Sequence, residues 1–416
     1  MLIDNLQIVP TDGVTRVSAD VDGYEVWFNV PGDFDPNRVG NAFLATVFFP
    51  AMAQGGELRF GDGFRLSRQL LNELPTLQKT FGAWSKNLQS FTVAPTPTTV
   101  VNASEQVASL FSGSIDSICT LLQHSDEITD LVHIAGFEFA PAASGAPDPV
   151  DALRAMADKY KKPLRVLETN ALKFAYEQKI ARDLYHGSLM AAASHILGCK
   201  KTYFPSGADY ATLLAWGSHP LTDPSWGSEN VLFVHDGAEM RRIDKIDFLR
   251  DHEGVLENIV VCWERQDENC CRCNKCLRTM IAYELLGIPV AAFPERVTSK
   301  AIRNARFTGS VDHVMFNENL AVAREQGHHD LVRAMSWAHT RKVLPKALGG
   351  ALRVLDEAVF AGAYNNCLSA SKPLAGHANG TRSTSNRSNL ITEQSVFHLS
   401  VHLDAARFTD TLTFER

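Results

Sequence analysis

No stretch of this 416-residue chain is both apolar enough and long enough to cross a bilayer. The most apolar run, residues 43–53, is short and contains Pro50. The first residues, MLIDNLQIVPTDG, lack a basic segment followed by an apolar one, so no secretory signal is visible and a cytoplasmic protein is expected. Basic residues are not in excess: 40 Lys and Arg stand against 47 Asp and Glu, a net charge of -7. That balance argues against a general nucleic-acid surface. There is no G-x-x-x-x-G-K-[ST] phosphate loop and no internal repeat. Nor are cysteines spread in pairs as a disulfide framework requires. Five of the eight fall between Cys262 and Cys276, which points to metal or redox chemistry.

What is present is an ordinary globular composition, 45% hydrophobic and 21% charged. Residues 15–31 alternate apolar and polar on either side of Asp22-Gly23, a strong hairpin signal. Residues 66–87 have a helical pattern, and 94–99 (APTPTT) resemble a linker, so a small β-rich N-terminal domain is placed over residues 1–100. From there strand-like runs at 107–111, 130–135, 164–168, 201–205, 231–235 and 258–263 alternate with helical stretches such as 151–160 and 181–197. This pattern predicts an α/β fold, a doubly wound parallel sheet with helices on both faces, over residues 101–315. A helical region follows over 316–366, and 367–416 form a low-complexity linker and tail rich in Ser, Asn, Gly and Thr.

The first strand of the α/β unit runs into SGSIDS, residues 112–117. A strand-to-helix turn in a parallel sheet offers free N–H groups and the positive end of a helix dipole to an anion. Gly113 allows close approach, Ser112, Ser114 and Ser117 supply hydroxyls, and Asp116 suits Mg²⁺; an ordinary Ser-capped turn would look the same. The stretch resembles the S-G-G-x-D-S signature of the PP-loop ATP pyrophosphatases. Ser114 stands where that family has its second glycine. If the position requires a positive φ, Ser costs about 1 kcal/mol there.

Cys270, Cys273 and Cys276 form C-x2-C-x2-C, and Cys262 lies eight residues upstream. Two-residue gaps let thiolates converge on one ion, and the upstream Cys supplies a fourth ligand. Cys271 could replace Cys270, but it forms a cramped pair with Cys273. Zn²⁺ leads, with a [4Fe–4S] cluster as the rival. The loop followed by C-x7-C-x2-C-x2-C resembles the 7-cyano-7-deazaguanine synthase (QueC) family over roughly residues 105–290, one residue shorter before the triplet than that family's usual pattern. His219-Pro220-Leu221-Thr222-Asp223 occupies the place of the family's substrate-side segment. Residues 242–247, RIDKID, resemble its L-T-K-A-E run at Lys245 and, by charge, at Asp247.

The resemblance implies a carbon–nitrogen ligase that uses ATP, Mg²⁺ and a structural Zn²⁺. A substrate carboxylate, of deazaguanine type, is adenylated with release of pyrophosphate, and ammonia or an amine then displaces AMP to give an amide, nitrile or conjugate. Asp116 and Lys245 are the candidate catalytic residues, with Arg241, Arg242 and Arg278 as further cations. His186, His219, Asp223 and His235 are substrate-side candidates. Glu168 and Asn170 could flank the nucleotide, and Trp216 or Trp226 could stack on a base, although caps and core packing are the commoner uses. Two alternatives stay open: a nucleotide-binding partner subunit without turnover, in the antiphage defence setting where such relatives occur, and an ATP-dependent tRNA sulfur transferase. A partner protein on the N-terminal segment and a homodimer are also left open. Asp116 is expected to serve charge placement, not packing.

Overall fold

The computed structural model describes residues 1–100, 102–135, 149–257, 259–262, 264–265, 268–289, 292–305 and 310–339. The chain divides into Met1–Ala347 and Leu348–Arg416, and all described residues belong to the first unit. The N-terminal part contains β1 (Leu2–Thr11), β2 (Val14–Val21), β3 (Tyr24–Pro31), α1 (Val39–Gln54), β4 (Gly56–Phe60), α2 (Arg68–Trp84) and β5 (Phe91–Val93). Then come β6 (Ser104–Leu110), α3 (Ile115–Gln123), β7 (Asp130–Ala135), α4 (Pro149–Lys159), β8 (Leu164–Thr169), α5 (Ala171–Glu177), α6 (Arg182–Leu197), β9 (Cys199–Pro205) and β10 (Leu232–Asp236). Helices α7 (Arg242–Arg250), α8 (Asn274–Leu286), α9 (Ser299–Asn304) and α10 (Ser310–Glu325) follow, with further helical residues at 329–339. The rest of the expected helical region, 340–366, and the expected linker and tail lie outside the described residues.

Strands β6 to β10 pair in parallel in the order β10-β9-β6-β7-β8. The chain moves outward from β6 through β7 to β8, then returns to the other side for β9 and β10. That is the doubly wound order, with its topological switch point between β6 and β9. Neighbouring side chains on each strand serve opposite faces. Ala108 and Leu110 of β6 join a core with α1, α2, α5 and α6, whereas Val107 and Phe111 join a second core with α3, α7, α8 and α10.

The expected boundary near residue 100 is not marked by a break in the sheet. β1 to β3 form an antiparallel meander, and β3 pairs antiparallel with β8 at Phe28–Thr169 and Asn29–Glu168. The order continues β3-β2-β1-β4-β5, making one ten-stranded sheet. Asp22 and Gly23 take φ of 49° and 84°, the positive values that a two-residue hairpin turn requires. Helix α1 is buried from Val39 to Met52, so its apolarity all round reflects a place in the core. Its buried Asn41 accepts the Ser67 N–H at 2.8 Å, and Thr46 bonds back to the Ala42 carbonyl at 2.7 Å.

One expected strand is absent: residues 259–262 form none. Their β-branched side chains are buried in the second core, but Asn269 takes the place of a sheet partner. It accepts the Val261 N–H at 2.8 Å and donates to the carbonyls of Ile259 and Ala292, both at 2.8 Å.

His195 of α6 lies fully inside the first core and donates from Nε2 to the Trp226 carbonyl at 2.8 Å. Burial pushes its pKa down to about 4. The unfolded chain, titrating near 6.5, therefore binds the proton more readily. Stability is complete above pH 6.5 and falls as the pH drops from there toward 4. We expect a loss of about 2 kcal/mol from this residue between pH 7.5 and pH 5. Thermal melts of His195→Gln, which keeps an N–H donor, should show a smaller drop in Tm across that range than wild type. An equal drop would place the titration elsewhere.

Candidate active site and metal centre

The SGSIDS turn crowns the switch point. β6 ends at Leu110, Gly113 takes φ of 67°, and Ser114 precedes the first turn of α3. A Cβ at Gly113 would meet Leu153 Cδ2 at 2.7 Å, so both backbone and space call for glycine. Ser114 has φ of -85° and ψ of 167°, an extended conformation open to any residue. The strain expected for serine at this position is therefore absent. Ser112 Oγ donates to Ser114 Oγ at 3.0 Å, and Ser117 Oγ donates to the Ser114 carbonyl at 3.1 Å.

Asp116, in the first turn of α3, faces the N-terminal end of α7. Its Oδ2 accepts from Arg242 Nη1, and its Oδ1 lies 3.6 Å from Lys245 Nζ. The side chains of Arg242 and Lys245 are 6% and 1% exposed. Burial pushes the Asp116 pKa upward, but Arg242, Lys245 and Arg278 outweigh it and hold the carboxyl below its usual range. Lys245 Nζ also donates to the Ser206 carbonyl at 2.6 Å, and Ser206 N–H donates to the Asp236 carbonyl at 2.8 Å. The carboxyl ends of β6, β9 and β10 thus meet on one pair of charges. Asp116 is structural as well as electrostatic: Asp116→Ala would strand two buried cations, so the expectation of a role in charge placement alone is corrected.

Among the described residues, Asp116 Oδ1, Arg242 Nε and Arg242 Nη2 are buried without a hydrogen bond, Oδ1 facing the Lys245 ammonium. Guanidinium donors without a hydrogen bond, on a cation paired with Asp116, fit a phosphate. Mg²⁺ is commonly held by one or two carboxylates together with substrate phosphates, and Asp116 is the carboxylate at this turn.

Sequence reasoning did not find Glu318 of α10, whose Oε1 accepts the Ile243 N–H at 2.7 Å. Burial raises its pKa against the pull of that N–H and of Arg242. It also missed Gly207, whereas the sequence reads Gly237 as part of a strand end, His235-Asp236-Gly237, that faces a site or makes a turn. A Cβ at Gly207 would stand 3.9 Å from Asp116 Oδ2, and one at Gly237 would stand 3.2 Å from Lys245 Nζ. A glycine just past a strand end was the available signal for Gly207; nothing local marks Glu318. Arg241 turns instead to Asp244, at 2.8 Å, in an exposed capping pair.

The substrate-side candidates form a second group. Asp223, fully buried, accepts from Ser218 Oγ at 2.7 Å, the His219 N–H at 3.1 Å and His235 Nδ1 at 2.7 Å. His186 Nε2 accepts the Ser218 N–H at 3.2 Å, and burial pushes its pKa down to about 4. Burial and the neighbouring His235 lower that of His219. His219, Asp223 and His235 bond to one another and to the 218–221 segment, and His219 also packs against the Trp84 ring at 5.0 Å. Trp226 is a core residue against Phe48, with ring centroids 4.9 Å apart, and Trp216 lies beside His186 at 5.3 Å. The side chains of Asn170 and Glu168 bond to β3. They stitch β8 to β3 through the Trp27 N–H, the Glu25 carbonyl and Asn29.

The sulfurs of Cys262, Cys270, Cys273 and Cys276 all lie within 4.8 Å of one another. Two of the separations, Cys262–Cys273 and Cys270–Cys276, are 4.0 Å. A tetrahedron with Zn–S bonds of about 2.3 Å has edges of about 3.8 Å, so the four sulfurs fit zinc. Backbone N–H groups of Glu264, Arg265, Cys273 and Cys276 point at these sulfurs at 3.3–3.5 Å and favour thiolates. Cys271 is turned away by a φ of 58°, its thiol toward the carbonyls of Asn269 and Glu295. Cys273 caps α8, and Arg278 lies on the same helix, so the metal centre fixes a cation of the Asp116 site.

No family model matches the chain, and neither a curated protein nor a solved structure matches it.

Two substitutions separate ligand from bystander. Cys270→Ser should remove most bound zinc and lower Tm, whereas Cys271→Ser should keep one zinc per chain by elemental analysis. Equal loss from both would overturn the ligand assignment, and iron in place of zinc would overturn the metal.

Proposed function

We propose that this chain is an ATP-dependent ligase that adenylates a carboxylate, of deazaguanine type, releases pyrophosphate, and passes the acyl group to ammonia or an amine. The observation that carries this reading is the Ser112–Ser117 turn at the sheet's switch point, with Arg242 and Lys245 buried against Asp116. Backbone N–H groups of the turn and the Ser hydroxyls would cradle the departing pyrophosphate. Lys245 and Arg242 would neutralise charge developing on its oxygens in a site shielded from water. Mg²⁺, when bound, would supply further neutralisation of the phosphates, with Asp116 as the residue to hold it. The four-cysteine centre would be structural, holding α8 and Arg278 in register.

The test is carboxylate-dependent exchange of labelled pyrophosphate into ATP, run with a panel of deazaguanine carboxylates. Wild type should show exchange, and Asp116→Asn, folded by its melting curve, should lose at least a hundredfold. Ser114→Gly should leave the rate within about twofold, because no backbone strain is there to relieve. ATP binding without exchange on any carboxylate would overturn the ligase and leave a nucleotide-binding subunit.

A further inference from the structure

The Asp223–His235 pair is built like a proton acceptor, and nothing in the adenylation step uses it. Asp223 is held from two sides, by Ser218 Oγ and the His219 N–H, and its Oδ2 meets His235 Nδ1 at 2.7 Å. That contact places a proton on Nδ1, so in the neutral ring Nε2 is the acceptor. The His235 side chain is only 5% exposed, and Nε2 is buried without a partner among the described residues. A buried acceptor of this kind is costly unless a donor reaches it. His219 also faces it.

Its position matters as much as its bonding. His235 lies in the last turn-facing residues of β10, two residues before Gly237, a span of about 7 Å along the chain. Gly237 in turn abuts Lys245 Nζ. The imidazole therefore belongs to the carboxyl end of β10, on the opposite face of the strand from Asp236, which bonds Thr120 of α3 and His124.

We propose that His235, oriented by Asp223, accepts the proton released when the amine attacks the acyl-adenylate. This rests on the ligase reading above. The C–N bond forms, the C–O bond to the adenylate breaks with its electron pair leaving on AMP, and one N–H proton passes from the nitrogen to Nε2. The resulting imidazolium is stabilised by the Asp223 carboxylate. The nucleophile served is a small nitrogen donor, ammonia or a primary amine.

The experiment follows amide formed per AMP released, with ammonium chloride as nucleophile, in wild type, His235→Gln and Asp223→Asn. Loss of a positioned base is worth roughly 10²–10⁴-fold in such steps. We expect the ratio to fall at least tenfold in His235→Gln and less in Asp223→Asn. Hydroxylamine, a far less basic nucleophile, should restore the ratio to within about threefold of wild type. Melting curves identify any variant that fails to fold, and the Asp223→Asn arm then carries the result. Unchanged ratios with pyrophosphate exchange intact overturn the role of His235 alone. A wild type without exchange overturns the ligase reading and this base with it.

Discussion

The ion contacts of Asp116 organise the functional half of the molecule. One carboxylate at the start of α3 engages Arg242 and Lys245 from α7 and lies in the field of Arg278 from α8. Two cations buried this deeply would be expensive without a counter-ion, so the carboxylate is what allows α3 and α7 to pack with charged residues between them. The same contact brings the ends of β6, β9 and β10 to a common point, because Lys245 also binds the Ser206 carbonyl. Packing and candidate chemistry here share the same atoms.

Around that point the supports are arranged at increasing distance. The four-cysteine centre sets the first turn of α8, and Asn319 of α10 donates to the Arg278 carbonyl at 2.8 Å. Glu318, next along α10, caps the α7 N–H group of Ile243. On the other face of the sheet, α6 and the segment before β10 hold the Asp223 network. Gly217 lies so close to α6 that a Cβ would meet the Leu184 carbonyl at 2.1 Å, which keeps Ser218 and Asp223 flush against the core. The N-terminal strands extend the sheet from β8 and broaden the first core without contributing any of the site's charged residues.

Much of this was legible locally. The Asp22-Gly23 turn, the β6-to-β10 alternation and the cysteine spacing each rest on rules that operate over a few residues: positive φ, side-chain periodicity and ligand geometry. The same rules misread residues 259–262. A β-branched apolar run looks the same whether its backbone pairs with a strand or with the Asn269 side chain, and that side chain arrives from beyond the run. Ser114 was misjudged for a related reason, since a glycine in a similar motif need not mark a positive φ in this loop.

By itself, the sequence determined the α/β class, the hairpin, the glycine-bearing strand-to-helix turn and the clustered cysteines, all consequences of short-range stereochemistry. Only the tertiary structure decided that the N-terminal strands share the sheet through β3 and β8, and that Arg242 and not Arg241 reaches Asp116. It also decided that Cys271 turns away from the other sulfurs and that Asp223 and His235 form a buried pair. These depend on which side of a helix or strand meets a distant neighbour. That choice is made by burial and charge compensation across more than a hundred residues in the case of Asp116 and Arg242, a separation over which local pattern carries no information.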